Sequence, residues 1–229
     1  MTAWDSIERF RRTKYYDLLA ASPLIVWMGY GGWKDAIQIQ PHLYWIANGS
    51  ETTLGYLQTV ALVMSAVFCA LLVVLLMTRT VPRARAAGVA PRALAVAGTF
   101  IGGIYLHLTP VPLPFWLQIA VVILIVVAAT LEILILMWLG KSFSIMAEAR
   151  NLVTEGPYAF ARHPLYAAEI IGALAMLIQF FGWAACGVFL SFAGIQVARS
   201  FFEENILEET FPEYGAYRAR TARFIPLVW

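Results

Sequence analysis

Thr53–Met77, TLGYLQTVALVMSAVFCALLVVLLM, runs for 25 residues without a charged side chain. As a helix it rises about 1.5 Å per residue and outreaches the roughly 30 Å hydrocarbon core of a bilayer. Outward from it, five further apolar stretches read as membrane helices: Tyr16–Trp33, Ala93–His107, Phe115–Leu139, Leu165–Phe181 and Ala184–Ala198. The stretch Ala93–His107 is short for a bilayer and is expected to tilt, to thin the membrane or to be partly re-entrant. Pro110, Pro112 and Pro114 break the chain after it, and Phe181-Gly182-Trp183 permits a tight hairpin between the last two spans. The expected fold class is all-α: a polytopic integral membrane protein of five to six transmembrane helices in one membrane domain, residues 1–229.

Composition agrees. Hydrophobic residues make up 61% and charged residues 13% of the 229, with a mean hydropathy of +0.72. Globular chains are about half apolar and a quarter charged, so a soluble enzyme, a disordered chain and a disulfide scaffold are excluded. A formal charge of +2 gives no reason to expect nucleic acid as a partner. Cys69 and Cys186 each sit in an apolar run and read as small buried side chains. No His, Cys, Asp or Glu cluster has metal-ligand spacing, so no metal is expected.

Lysine and arginine set the orientation. Fifteen of the 16 fall in the leader (Arg9, Arg11, Arg12, Lys14), the loop 78–92, the segment 140–163 and the tail from Arg199; Lys34 is the exception. Six spans with both ends in the cytoplasm obey the positive-inside rule at every loop. The start carries no signal-peptide cleavage pattern and reads as a cytoplasmic leader. This suits a bacterial inner membrane, and an endoplasmic reticulum location obeys the same rule. The polar cytoplasmic stretches Lys141–His163 and Glu203–Arg223 then flank the final hairpin on one side, whereas the outer loops hold little besides Asp35, His42 and Glu51.

Those two stretches carry the chemistry. Leu152-Val153-Thr154-Glu155-Gly156-Pro157-Tyr158 leads into Arg162-His163-Pro164-Leu165-Tyr166, and after the hairpin come Arg199, Glu203-Glu204, Leu207, Phe211-Pro212-Glu213-Tyr214 and Tyr217. Arg199 and Glu203 are four apart and share a face on a continuing helix, where such a pair can hold a zwitterion. The order G-P-Y-x-x-x-R-H-P-x-Y, hairpin, R-x-x-x-E-E-x-x-L, F-x-E-Y-x-x-Y resembles the isoprenylcysteine carboxyl methyltransferase family, and related membrane phospholipid N-methyltransferases are similar. The resemblance covers Leu152 to Tyr217. R-H-P-x-Y on its own also occurs in membrane sterol reductases.

The resemblance implies a membrane methyltransferase that uses S-adenosylmethionine without a Rossmann domain; no G-x-G-x-x-G follows a strand in this chain. It implies a cytoplasmic cofactor pocket formed by the last helical hairpin and the C-terminal segment, with residues 141–229 as the core and 1–140 as the acceptor side. Leu152 and Val153 would line the adenosine through their backbone, and Tyr158, His163, Pro164, Leu165 and Tyr166 would shape the pocket. Glu203 would hold the methionine ammonium and Arg199 would face the acceptor. Arg150-Asn151 stand where the animal enzymes have a His-Thr pair, and are carried as cofactor-binding positions by location. No family motif aligns before residue 140, so the acceptor does not transfer with the fold.

A carboxylate acceptor needs alignment and a dry site but no base. The Arg at the site tilts the reading toward a prenylcysteine-like carboxylate, with a phospholipid amine second. An amine must first lose a proton, for which Glu204 or His163 is the candidate base. Glu132, in the middle of the fourth span, and Glu169, a turn into the fifth, are ionisable groups inside the membrane and hence candidate substrate-binding residues.

Phe211, Tyr214, Tyr217 and Trp229 either form an interfacial belt or close the pocket from below. Arg218, Arg220 and Arg223 are expected to meet lipid headgroups, so the partners expected are a lipophilic or lipidated substrate and membrane lipids. Two alternatives stand: a nicotinamide-dependent membrane reductase sharing the R-H-P-x-Y hairpin, and a non-enzymatic membrane subunit that binds neither cofactor.

Overall fold

The computed structural model describes residues 9, 10 and 13–226. Arg11, Arg12 and Trp229, to which the sequence assigned roles, lie outside the described residues. Seven α-helices follow from residue 14 on: α1 Lys14–Ala47, α2 Thr53–Thr78, α3 Ala90–Phe100, α4 Phe115–Leu139, α5 Pro164–Gln179, α6 Trp183–Thr210 and α7 Tyr214–Arg220. The described sheet is a two-residue antiparallel pair, β1 Ala84–Arg85 against β2 Glu148–Ala149. The chain is thus nearly all-α. Three helices are long and apolar enough to cross a membrane: Thr53–Thr78, Phe115–Ser142 and Trp183–Thr210; α5 is a shorter apolar helix.

Three boundaries differ from the sequence expectation, the last being α6, which does not end at Ala198 but runs on to Thr210. The first helix does not end at Trp33 but continues to Ala47, through Pro41. Lys34 and Asp35 do not break it, because the Ser65 hydroxyl of α2 donates to the Asp35 carboxylate at 2.6 Å and the two helices remain paired. The polypeptide turns only at Asn48–Thr52, where Gly49 takes φ +65°. The third stretch is not one α-helix either. It is α from Ala90 to Phe100 and 3-10 from Ile101 to His107, where Gly102-Gly103 weakens α-helical propagation. At about 1.5 and 2.0 Å per residue the two parts together reach about 30 Å.

Helix α2 packs between α1 and α4, α4 against α5, and α6 against both α5 and α3. Leu76 of α2 and Leu136 of α4 are fully buried in one cluster, while Tyr105, Ala185 and Val188 form a second where the 3-10 turn meets α6. Outward faces are apolar as well: Val60, Val63, Val67 and Val74 on α2, and Ile123, Val127, Leu131 and Leu134 on α4, are exposed. Apolar faces of this extent suit lipid rather than water.

One buried ion cluster joins the two halves of the chain. Asp17 of α1 accepts from Arg79 Nε at 2.9 Å and from Arg150 Nη2 at 2.8 Å. Arg150 Nη2 also meets Glu148 at 2.6 Å, and Glu148 meets Arg85 across the strand pair at 3.0 Å. This fixes the start of the segment 148–153 that feeds the functional site. Asp17→Ala would leave the buried Arg79 guanidinium without its carboxylate and Arg150 with Glu148 alone, and removing one partner of a buried pair costs about 3–5 kcal/mol. A lowered thermal midpoint of the detergent-solubilised variant is the expected result; an unchanged midpoint would show that the cluster does not hold the halves together.

Candidate functional site

A cavity of about 420 Å³ lies between the two halves, within the range of about 300–1,000 Å³ usual for small-molecule sites. Every site residue singled out from the sequence lines it except Pro164 and Glu204. Leu24, Met28, Phe68 and Leu72 from α1 and α2 make an apolar wall for which the sequence offered no motif.

The loop into α5 is held by its own geometry. Gly156 takes φ +59°, and a Cβ there would stand 2.5 Å from the Trp138 ring of α4, so only glycine fits beneath that indole. The 3-10 turn Gly156–Ala159 follows, and Tyr217 of α7 donates its hydroxyl to the Tyr158 carbonyl at 2.7 Å. The tail then runs alongside the loop: the Arg162 amide donates to the Ala222 carbonyl at 2.8 Å and the His163 amide to the Arg223 carbonyl at 2.9 Å. Pro164 is the first residue of α5, where its missing N–H costs nothing. It acts through the backbone, outside the cavity wall.

Glu203 and Glu204 are adjacent on α6 and therefore point about 100° apart. Glu203 faces the cavity, accepts the Tyr166 hydroxyl and lies 3.8 Å from His163 Nδ1. Glu204 faces the tail. It is 2% exposed and takes Arg162 Nε at 2.8 Å, His163 Nε2 at 3.1 Å, and Arg223 Nε and Nη2 at 3.1 and 2.9 Å. The sequence reading of Glu204 as a catalytic base is corrected by this geometry: its oxygens are engaged by Arg162, His163 and Arg223, and it does not line the cavity. Arg223, expected at the lipid headgroups, is likewise buried in this cage. Arg218 pairs with Glu208 at the surface, at 2.9 Å, and Arg220 is exposed.

The wall facing Glu203 is one connected array. His163 and Tyr166 stack at 5.5 Å with planes 2° apart, and the Arg199 guanidinium lies over the Tyr166 ring at 4.9 Å. Arg199 also donates to the Gln196 side-chain oxygen at 2.9 Å and to the Ile145 carbonyl at 2.8 Å, while Gln196 donates to Glu169. The sequence reading passed over Gln196. A polar amide three residues before Arg199, inside an apolar span, was the available signal. Glu132 lines the same cavity with no hydrogen bond or ion pair among the described residues. Gly98 lets α3 approach, since a Cβ there would stand 3.1 Å from Arg199 Nη1.

At the loop end, Leu152 packs on the cluster of Ile206, Phe211, Tyr214 and Tyr217, and Val153 packs beside Tyr158. Asn151 reaches Ser142 at 3.3 Å. Burial pushes the Tyr158 and Tyr214 phenols up and Tyr217 up to about 12, so all three remain neutral hydrogen-bonding groups at neutral pH. Tyr214 Oη, Arg150 Nε and Arg150 Nη1 are buried without a partner among the described residues, and both residues belong to the cavity wall. Buried polar groups are normally satisfied, so these call for a polar ligand. Together with Glu203 they fit a ligand carrying an ammonium and a nucleoside, as S-adenosylmethionine does.

Two variants test this construction. Gly156→Ala forces a non-glycine residue into left-handed backbone beneath the Trp138 ring, an effect of about 1–3 kcal/mol before the clash is added; chemical denaturation should show it. Glu204→Gln loosens the cage, and trypsin should then cut the tail after Arg218, Arg220 or Arg223 faster than in the parent; equal cleavage rates would show that Glu204 does not hold the tail.

Comparison with known proteins follows the same residues. Residues 120–210 match the isoprenylcysteine carboxyl methyltransferase (ICMT) family. The chain is 38% identical over 77 residues to the cobalt-zinc-cadmium resistance protein CzcN of Cupriavidus metallidurans, covering 33% of this chain and 36% of that protein. It is 36% identical over 81 residues to the nickel-cobalt-cadmium resistance protein NccN of Alcaligenes xylosoxydans xylosoxydans, covering 34% and 38%. The chain thus spans just over a third of the length of these curated relatives. The order of the motifs, the hairpin that joins them and the match over residues 120–210 make this part of the chain similar to the isoprenylcysteine carboxyl methyltransferase family.

Proposed function

We propose that the protein is a membrane-embedded S-adenosylmethionine-dependent methyltransferase acting on a lipophilic acceptor. The observation that carries this reading is the pairing of Arg199 and Glu203 one helical turn apart on α6, in a cavity whose opposite wall is apolar. The chemistry S-adenosylmethionine supplies when bound is a methyl carbon made electrophilic by a sulfonium. Glu203 receives the ammonium, held in place by the Tyr166 hydroxyl and the nearby His163 ring. Tyr214 and Arg150 offer their unpartnered groups to the remaining polar edges, and Leu152, Val153 and Leu165 exclude water. Arg199, fixed by Gln196 and the Ile145 carbonyl, faces the acceptor side. The rate enhancement asked of such a site is mostly orientation in a dry cavity.

The acceptor side is the apolar wall of α1 and α2, which suits a lipid tail. A prenylcysteine-like carboxylate and a phospholipid amine were both expected from the sequence, and they ask opposite charges of the cavity. The reading keeps both chain ends in the cytoplasm on the lysine and arginine count.

Isothermal titration of the detergent-purified protein with S-adenosylhomocysteine tests the reading, with Glu203→Ala and Arg199→Ala alongside. Binding at about micromolar affinity, weakened about tenfold or more by Glu203→Ala and little changed by Arg199→Ala, is the expected result. Folded protein that binds NADPH instead would favour the reductase reading; binding of neither would favour the non-enzymatic subunit.

A further inference from the structure

The acceptor end of the cavity holds more acid than its described partners neutralise. Glu132 lies about two turns before the C-terminal end of α4, in the cavity wall, and forms no hydrogen bond or ion pair among the described residues. Gly172 of α5 leaves room beside it: a Cβ there would come only to 3.6 Å from Glu132 Oε1. The nearest acid, Glu169, interacts with it electrostatically and is bound by Gln196. Arg199, the nearby cation, is already held by Gln196 and the Ile145 carbonyl, rests on Tyr166, and is flanked by Glu169 and Glu203. With Glu203 assigned to the ammonium of the cofactor, Glu132 is the carboxyl left over.

An ionisable group inside a membrane span is costly to keep there, so a glutamate in α4 without a described partner points to a ligand that offsets the cost. A carboxylate acceptor here would find only Arg199 to pair with, and Arg199 is already engaged by Gln196 and the Ile145 carbonyl. A cation would neutralise Glu132. We infer that the methyl acceptor is a lipophilic amine whose ammonium seats on Glu132, with Glu169 beside it.

This inference rests on the methyl-transfer reading above. It also gives the amine acceptor the base that Glu204 does not supply. The N–H bond of the acceptor ammonium breaks and its proton passes to a Glu132 carboxylate oxygen. The freed nitrogen lone pair forms the new N–C bond to the methyl as the S–C bond breaks, its electron pair remaining on sulfur. The products are an N-methylated ammonium lipid and a neutral thioether. A carboxylate acceptor would need no such proton transfer and would yield a methyl ester.

Native mass spectrometry of the detergent-purified protein, titrated with dodecylamine and separately with dodecanoate, tests the inference without relying on turnover. One dodecylamine adduct should form, with or without S-adenosylhomocysteine present, and dodecanoate should bind far more weakly. Glu132→Gln should weaken the amine adduct about tenfold or more, as expected when one partner of a buried charge pair is lost. Retained S-adenosylhomocysteine affinity reports that the variant is folded; Glu132→Asp, which keeps the charge but draws it back by one methylene, should be intermediate and serves if the glutamine variant fails to fold.

With labelled S-adenosylmethionine and phosphatidylethanolamine vesicles, the label should enter the lipid as a base-stable N-methyl group. Preferential dodecanoate binding, an amine adduct indifferent to Glu132, or a base-labile ester on an S-farnesylcysteine probe would overturn the inference. A parent protein that binds dodecylamine through Glu132 but no S-adenosylhomocysteine would instead overturn the methyl-transfer reading and leave the amine site standing.

Discussion

A carboxylate buried at the end of a membrane helix has to be satisfied where it stands, and Glu204 is met by three groups from two places in the chain. Arg162 and His163 come from the mouth of α5, and Arg223 from the tail beyond α7. Each was free to face solvent or headgroups in the sequence. The cost of leaving Glu204 unpaired in an apolar bundle draws them together. Once they are together, the rest of the site follows. The His163 ring is held edge-on to Glu204 and stacks on Tyr166; Tyr166 is set beneath Arg199 and donates to Glu203. The pocket wall is built outward from a charge that never touches the cavity.

The Asp17 cluster does for the other half what the Glu204 cage does for the last hairpin. Arg79 and Arg150 converge on one carboxylate from separate parts of the chain, and the strand pair Ala84–Arg85 with Glu148–Ala149 adds backbone hydrogen bonds to the same junction. The two clusters stand on either side of the segment 150–163. That segment carries Leu152, Val153, Tyr158 and His163 into the cavity, so its two ends are pinned by charge and its middle by Gly156 under Trp138. Arg150 has a double part in this: one nitrogen closes the Asp17 cluster while two others remain buried and unpartnered in the cavity wall.

Much of the site was legible because its residues are close in sequence or tied by a fixed helical spacing. Arg199 and Glu203 share a face by the four-residue repeat alone, and Tyr166 and Glu169 lie on one face of α5 for the same reason. Glu204 was misread because adjacency on a helix looks like shared purpose in a sequence, whereas it turns neighbours about 100° apart. Arg223 was misread because a basic tail beside a membrane has two outlets, headgroups and buried acids, and no local pattern tells them apart. The extension of α1 past Trp33 was missed because Lys34 and Asp35 signal an interface; the Ser65 hydroxyl that satisfies Asp35 lies thirty residues away.

Hydropathy is a local property, so the sequence by itself determined that the chain is helical and membrane-borne, where most apolar segments begin and end, and which motif pair marks the functional end. It also led to the expectation that the chemistry-bearing residues lie on one side of the membrane, because lysine and arginine cluster beside them. The tertiary structure decided which faces of those helices look inward. A helix that is apolar all round carries no periodicity to distinguish protein from lipid, so the wall of Leu24, Met28, Phe68 and Leu72 was invisible until the helices were packed. It decided equally which charges are spent and which are spare: pairing depends on distance in space, and only there does Glu204 turn out to be engaged and Glu132 unpartnered among the described residues.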